Sequence, residues 1–340
     1  MKRWEVKCPL KVILLGEHAV LYTKRAVTMA VDLYLTMNIE ESIEKVQIIF
    51  NNELFYKGPI PSGEPCLDIS FDGLEDNEYQ VVNGILHVIR QLCIGCTINI
   101  ISDIPLGCGL GTSAAASISL ALGCLTLANY KHSLNLSPVQ IKELSYTLAH
   151  DLDNFIHGQG SGIDVLTCFY GGIQYYDGRS ANNGSVRKYC KSLHLDLPPI
   201  HVIYSRIPKD TRKMVSNVSK QYNLYPKVIL SIMQSIDELI SSLLEGCLIS
   251  DLANYCHDLL CCLNVSHPKL QQGISILKNN NLAHNKVSCK LTGAGSGGCL
   301  ISFGQLSNTQ LQQLVKQEFD VYSVNLAKQG VLISSIDNIY

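Results

Sequence analysis

The sequence predicts an α+β protein of two domains in which helices cover mostly antiparallel sheets. Its 340 residues are more than one ordinary hydrophobic core accommodates, and 46% of them are hydrophobic. Short strand patterns and long helical patterns succeed one another along the chain, and a polar stretch interrupts them shortly before residue 196. We therefore predict domains over residues 1–196 and 197–340, with a final strand that can pack back on the first domain.

The first domain begins with a strand and a glycine turn. The apolar run Val12–Leu15 ends at Gly16, which is typical of a buried strand followed by a turn. Alternating apolar residues predict further strands over 46–50 and 97–101. Prolines and glycines indicate an irregular loop over 57–80.

Two long helices follow in the first domain. Periodic apolar residues predict them over 114–129 and 137–156, the second entered through a Ser-Pro start signal. The first is apolar enough to resemble a membrane span, but it is short and contains serines, a glycine and a threonine, which favour a buried core helix. After a glycine break at 158–162 the pattern becomes strand-like as far as Gly172.

The second domain combines helices with a few strands. Strand patterns at its start and near its end enclose three long helical patterns, and a glycine-rich loop precedes the later strand. The strands are predicted over 201–204 and 299–303, and the helices over 227–244, 252–263 and 270–282. This order indicates a layer of helices on an antiparallel sheet.

Charge and cysteine content restrict the class of protein. The net charge is −2 with acidic and basic residues interspersed, so we expect neither nucleic acid nor a membrane as partner, and small molecules as ligands. The N-terminus lacks an apolar signal segment, which predicts a cytoplasmic protein whose 14 cysteines are thiols. Cys93 and Cys96 form a C-x-x-C pair that we interpret as core residues beside a strand.

The most informative segment is a glycine-rich turn that leads into the first long helix. Residues 105–115 read PLGCGLGTSAA; the glycines permit close backbone approach, and Thr112 or Ser113 can cap a helix start that attracts anions. Neither the Walker A loop nor the dinucleotide fingerprint has this spacing. The segment predicts a phosphate-binding loop, and a turn that merely allows close helix packing is the alternative. The residues expected to contribute are Pro105, Gly107, Gly109, Leu110, Gly111, Thr112, Ser113 and Ala114.

Three other segments carry groups that phosphoryl transfer requires. Residues 11–20 place a lysine on the first strand and a Glu-His pair at its exit turn. Residues 153–164 hold two carboxylates around a glycine-rich turn, and residues 290–299 form a second glycine loop. Transfer of a phosphoryl group to an alcohol needs an oriented hydroxyl and compensation of charge at the phosphate oxygens. The four segments together predict such a site.

In this order, and along nearly the whole chain, the four segments resemble the GHMP kinase superfamily, which is named for galactokinase, homoserine kinase, mevalonate kinase and phosphomevalonate kinase. Gly16–Val20 after Lys11, residues 156–164 and Asp210–Arg212 are similar to mevalonate kinases. The resemblance implies an N-terminal domain like domain 2 of ribosomal protein S5, a ferredoxin-like C-terminal domain, and ATP- and Mg²⁺-dependent phosphorylation of mevalonate. It also implies a cytosolic homodimer.

The resemblance further implies a role for each site residue. Asp164 would accept the proton of the substrate hydroxyl beside Lys11, a cation that would keep the carboxylate ionised. Ser113 and Asp153 would bind Mg²⁺, with Asp153 one methylene shorter than the Glu that is usual in the superfamily. The substrate would be recognised by Glu17, His18, Lys209 and Thr211, and the second glycine loop would contribute Thr292, Gly293, Ala294, Gly295 and Ser296. In that loop Ser296 replaces a glycine.

Several alternatives remain open. Taken singly, each of the following residues also has a purely structural interpretation. Lys11 could lie at a strand edge, and Asp153 could be a solvated helix residue. His18 and Asp164 could be turn residues. The superfamily also contains ligand sensors that bind sugar and nucleotide without turnover, and kinases that act on galactose, homoserine or phosphomevalonate. The presence of Lys11, Ser113, Asp153 and Asp164 together favours an enzyme, and the Gly-Glu-His-Ala-Val sequence favours mevalonate as its substrate.

Overall fold

The computed structural model describes residues 2–71, 80–157, 161–178, 190–209, 211–279 and 287–336, and they form the α+β fold that the sequence predicts. The strands are β1 (Arg3–Leu15), β2 (Arg25–Glu41), β3 (Val46–Phe50), β4 (Glu53–Gly58), β5 (Cys96–Ser102), β6 (Ile173–Asp177), β7 (Cys190–Leu193), β8 (Ile200–Tyr204), β9 (Ser288–Thr292), β10 (Cys299–Phe303), β11 (Asp320–Val324) and β12 (Leu332–Ser335). The helices are α1 (Gln80–Gln91), α2 (Thr112–His132), α3 (Pro138–His157), α4 (Ile163–Tyr170), α5 (Thr211–Leu224), α6 (Pro226–Leu244), α7 (Ile249–Cys262), α8 (Pro268–Asn279) and α9 (Asn308–Lys316).

The strands form two sheets. The first has the order β12-β1-β2-β5-β3-β4, with β6 beside β2 and β7 beside β6. Its pairings are antiparallel except that of β3 with β5. The second has the order β11-β8-β10-β9 and is antiparallel throughout. Both agree with the mostly antiparallel sheets expected from the sequence.

After β11 in the second sheet, the chain returns to the first sheet with its last strand, β12. Strand β12 pairs with β1, with Trp4 opposite Ser335 and Val6 opposite Ile333. The final strand therefore lies in the first sheet, as the sequence analysis allowed. Buried apolar side chains of both sheets also belong to one continuous cluster. The boundary at residue 196 stays a prediction.

Helix α2 is the apolar helix whose composition resembles a membrane span. It is the one helix within the described ranges that is long and apolar enough to cross a membrane, and 78% of its most apolar window is buried inside the protein. The helix packs on β1 and β2 and against α3. The interpretation as a core helix is confirmed.

Helix α4 corrects the strand-like pattern expected before Gly172. Residues Ile163–Tyr170 are β-branched, aromatic or otherwise apolar at almost every position, so their sequence has no helical period. The helix forms because it is buried against β1, β2, α2 and α3, so tertiary packing overrides propensity. Asp164 in the first turn suits the positive end of the helix dipole, and the Thr167 hydroxyl donates to the Ile163 carbonyl oxygen at 2.7 Å. The sequence pattern also predicts neither α1 nor α5.

Candidate active site

A lysine and an aspartate from two elements form the centre of the candidate site. Lys11 Nζ, on β1, lies 2.8 Å from Asp164 Oδ1, in the first turn of α4. The lysine side chain is only 3% exposed, whereas that of Asp164 is 39% exposed. The carboxylate is therefore held by a buried cation on one side and remains accessible to a ligand on the other.

The first glycine loop lies directly against this pair. The Lys11 amide donates to the Leu110 carbonyl oxygen at 2.8 Å. Gly111, which has a φ of 73° and precedes α2, leaves no room for a side chain, because a Cβ atom there would lie 2.8 Å from Lys11 Cγ. Leu110 and Ala114 are buried in the core. The loop therefore presents backbone rather than apolar side chains next to Lys11.

The start of α2 differs from the expected capped helix. Within the described part of the chain no side chain caps it, since Thr112 Oγ1 accepts from the Gly107 amide at 3.3 Å and Ser113 Oγ donates to Asp153 Oδ1 at 3.1 Å. The expectation that Thr112 or Ser113 caps the helix is wrong, because each hydroxyl binds another group. An uncapped helix start keeps N–H groups for an anion. Pro105 lies at the exposed entrance of the loop.

Ser113 and Asp153, the expected Mg²⁺ ligands, are neighbours across α2 and α3. A hydroxyl and a carboxylate are oxygen ligands of the kind Mg²⁺ prefers when substrate phosphates supply the others. Among the described residues there is no group of three or more His, Cys, Asp or Glu side chains that could hold a metal ion. The pair therefore fits a metal that arrives with a phosphate ligand better than a dedicated protein site.

The carboxylates of Asp153 and Asp164 both affect the pKa of Cys168, a buried cysteine of α4. Burial raises the pKa of Cys168; the Asp164 carboxylate raises it further, Lys11 lowers it, and Asp153 raises it. Both carboxylates therefore lie in the electrostatic surroundings of the same thiol.

The second glycine loop meets the first, and Lys209 reaches the junction. A Cβ atom at Gly293 would lie 3.3 Å from the Gly109 carbonyl oxygen and 2.4 Å from Lys209 Nζ, and a Cβ atom at Gly109 would lie 2.5 Å from the same Nζ. Burial and then the charge of Lys11 lower the pKa of Lys209 to about 8. The amine that was expected at the carboxylate end of a substrate thus lies between the two glycine loops.

This lowered pKa predicts a pH dependence of anion binding. The lysine keeps its charge below pH 8 and loses it above, well before its ordinary pKa of 10.5. We expect the affinity for a non-hydrolysable ATP analogue to fall about tenfold from pH 7 to pH 9 as the ammonium is lost. In the ligand-free protein the lowered pKa of Lys209 has the opposite effect on folding. The free energy of unfolding rises with pH between about 8 and 10.5, because in this range only the unfolded chain still binds the proton.

A Lys209→Arg variant is the control for this prediction, since arginine stays charged over the whole range. Its affinity for the analogue, followed by calorimetric titration, should change little between pH 7 and pH 9. Equal losses in the wild type and in the arginine variant would show that another group controls the pH dependence.

The remaining expected substrate residues occupy more enclosed positions. The Glu17 carboxylate is fully buried in an ion pair with Lys290. His18 Nε2 lies 2.9 Å from the Ala294 carbonyl oxygen, and burial lowers its pKa, which favours the neutral ring. Thr211 is the first residue of α5 and is partly buried. Its neighbour Asp210 lies outside the described residues.

The second glycine loop also contacts β1 and the segment that follows α7. Thr292 Oγ1 accepts a hydrogen bond from the Ile13 amide at 2.9 Å. Ser296 has a φ of 59°, a left-handed conformation that favours glycine, and its amide donates to the Val265 carbonyl oxygen at 2.6 Å. A Cβ atom at Gly295 would lie 2.0 Å from that same oxygen. The loop is therefore held from both sides, and Ser296 adopts the glycine-like backbone despite its side chain.

Sequence reasoning assigned no role to Lys290. The residue lies at the centre of β9, where every residue is buried, and its ammonium binds Glu17, 273 positions earlier in the chain. A lysine between Cys289 and Leu291, just before a glycine-rich loop, is the signal that could have found it, because lysine is almost never fully buried unless it is paired.

Comparisons with known proteins show which families this chain resembles. Residues 80–172 match the family described as GHMP kinases N-terminal domain. The mevalonate kinase of Thermococcus sibiricus is 27% identical, with 96% of this chain and 97% of that protein covered. The mevalonate kinase of Methanocaldococcus jannaschii is 29% identical, with 94% and 99% covered.

A solved structure supports the same assignment. The crystal structure of the Methanococcus jannaschii mevalonate kinase superposes with a TM-score of 0.68 at 26% identity, covering 95% of this chain and 98% of that one. The resemblance therefore extends over both sheets. Residues 80–172 therefore match the N-terminal domain of the GHMP kinases, and along nearly its whole length the chain is similar to mevalonate kinases.

Proposed function

We propose that the protein is a mevalonate kinase, which transfers the γ-phosphoryl group of ATP to the 5-hydroxyl of mevalonate and releases 5-phosphomevalonate and ADP. The relatives that match nearly the whole chain bear this name. The observation that carries the proposal is the pair of Lys11 and Asp164, whose carboxylate is accessible beside the first glycine loop. A base next to a phosphate-binding loop is what phosphorylation of an alcohol needs.

Asp164 acts on the hydroxyl. Its free oxygen accepts the hydrogen bond of the substrate alcohol and, as the new bond to phosphorus forms, its proton. Lys11, beside it, stabilises the developing negative charge on the alcohol oxygen. The buried position of Lys11 strengthens this effect, since less water screens the charge.

The glycine loops act on the phosphates. The uncapped start of α2 and the backbone of the first loop offer N–H groups and a positive dipole to the phosphate oxygens. Lys209 lies between the two loops and adds a cation there. Positive charge at these oxygens lowers the barrier of phosphoryl transfer, in which negative charge spreads over them.

Mg²⁺ belongs to the proposal as the ion that accompanies ATP. Ser113 Oγ and the Asp153 carboxylate would hold it, and they already lie 3.1 Å apart. When bound, it would neutralise charge on the phosphate oxygens. For the substrate, His18 and Thr211 are proposed to contact mevalonate. The proposal also includes a cytoplasmic homodimer, whose mass light scattering after size-exclusion chromatography would measure.

A coupled assay of ADP release tests the substrate. Purified protein is given Mg·ATP with mevalonate, phosphomevalonate, galactose or homoserine in separate reactions. We expect turnover with mevalonate alone, because the Gly-Glu-His-Ala-Val sequence of this chain resembles that of the mevalonate kinases within the superfamily. Turnover with another alcohol would keep the enzyme class and refute the substrate. ATP binding without turnover on any of the four would support the ligand-sensor alternative.

A further inference from the structure

A fully buried ion pair joins the exit turn of β1 to the strand that leads into the second glycine loop. The Lys290 ammonium on β9 contacts the Glu17 carboxylate, and both side chains are 0% exposed. The ammonium also donates to the carbonyl oxygen of Ile13 at 3.2 Å and to that of Leu291 at 2.8 Å. An ammonium has three donors, so Lys290 is saturated inside the protein.

Further hydrogen bonds join the same two segments. The Ile13 amide donates to Thr292 Oγ1 at 2.9 Å, and His18 Nε2 lies 2.9 Å from the Ala294 carbonyl oxygen. With the ion pair they link three residues of β1 and its exit turn to three residues of β9 and its loop. These bonds fix the second glycine loop relative to the strand that carries Lys11.

The ion pair fixes the relative position of the two segments more than it stabilises the fold. Removing two charges from water costs about as much as their mutual attraction returns, so a buried pair is a weak source of folding free energy. The Cys256 thiol on α7 donates to the second oxygen of Glu17 at 3.8 Å. Because Glu17 is completely enclosed, its carboxylate cannot reach a substrate without breaking the pair.

We propose that Lys290 and Glu17 are positioning residues that hold the second glycine loop in register with Lys11 and thereby set the nucleotide side of the site. This inference rests on the proposed function. Contact transmits the effect, because a Cβ atom at Gly293 would lie 3.3 Å from the Gly109 carbonyl oxygen in the first loop. A displaced second loop would therefore displace the phosphate-binding backbone of the first.

The test removes both charges at once, in a Glu17→Gln, Lys290→Met double variant, so that no unpaired charge stays buried. Nucleotide affinity is measured by titration with a fluorescent ATP analogue, and steady-state kinetics are measured with mevalonate. We expect nucleotide affinity and kcat each to fall at least about tenfold, while KM for mevalonate changes less than about threefold. If the ion pair had a purely structural role, the double variant would unfold at a lower temperature, but its nucleotide affinity and kcat would not fall selectively relative to KM for mevalonate.

A second buried ion pair supplies the matched control. Arg25 on β2 lies 2.7 Å from Asp237, and the pair joins that strand to α6 rather than to a glycine loop. The double variant Arg25→Met, Asp237→Asn should lose thermal stability to a similar degree. Its kcat and nucleotide affinity should stay within about twofold of the wild type.

Two results would overturn the inference: unchanged nucleotide affinity in the folded Glu17/Lys290 double variant, or a loss confined to KM for mevalonate, which would indicate direct contact of Glu17 with the substrate. Should that variant fail to fold, Thr292→Val removes the hydroxyl that binds the Ile13 amide and keeps the side-chain shape, and unchanged nucleotide affinity there overturns the inference too. The titration needs no turnover. A wild type that binds the analogue but ignores mevalonate would refute the proposed function while the titration still decides this inference.

Discussion

An Asp164→Asn variant is expected to lose about 10²- to 10⁴-fold in kcat, the usual contribution of a positioned general base. Asparagine keeps the size of the side chain, but its amide cannot take the proton of the alcohol. Lys11, which lies 2.8 Å from the carboxylate in the wild type, then loses the anion with which it is paired. The loss should appear in kcat much more than in KM for ATP, because the phosphate-binding loops remain in place.

Asp151 on α3 provides the control for this variant. Its carboxylate is 46% exposed and lies near His150 rather than Lys11. Asp151→Asn should therefore keep the kcat of the wild type, and unfolding temperatures of both variants would show that each is folded. Less than a tenfold loss in kcat for folded Asp164→Asn would contradict the role of Asp164 as the base.

The sequence predicts best those elements whose pattern is local. Strands β3 and β10 have the predicted bounds, α2 extends the predicted helix by a few residues at each end, and α3 is shifted by one residue from its predicted bounds. Helix α4 is buried against both strands and helices and is apolar at almost every position, so periodicity could not identify it. Helix α5 is the opposite case, since it buries only Met214 and Val218 and shows almost no apolar stripe.

The site was predictable where a motif carries its own chemistry. The first glycine loop, Lys11 and the two carboxylates come together as the four sequence segments suggest. The enclosure of Glu17 by Lys290 was not predictable, because its partner lies on another sheet and 273 positions away. A sequence motif identifies which residue types are present but not which of their polar groups are already satisfied by a distant partner.

A Gly111→Ala variant is expected to lower kcat about 10²-fold by displacing Lys11. The added Cβ atom would lie 2.8 Å from Lys11 Cγ and 3.0 Å from Lys11 Cε, closer than carbon atoms approach in a packed interior. Lys11 is buried, so its side chain has little room to yield to the added atom without disturbing its contact with Asp164. A shift of about 1 Å in a catalytic group is enough for a loss of this size.

Gly107→Ala separates this displacement from backbone strain. Gly107 has a φ of 76°, close to the 73° of Gly111, but a Cβ atom there meets nothing within 4 Å. Both alanines carry a similar cost of about 1–2 kcal/mol for the left-handed backbone, which thermal unfolding would measure. Only Gly111→Ala pushes on Lys11, so its kcat should fall much further than that of Gly107→Ala. Equal losses of kcat in the two variants would show that strain in the loop backbone, and not the displacement of Lys11, causes the effect.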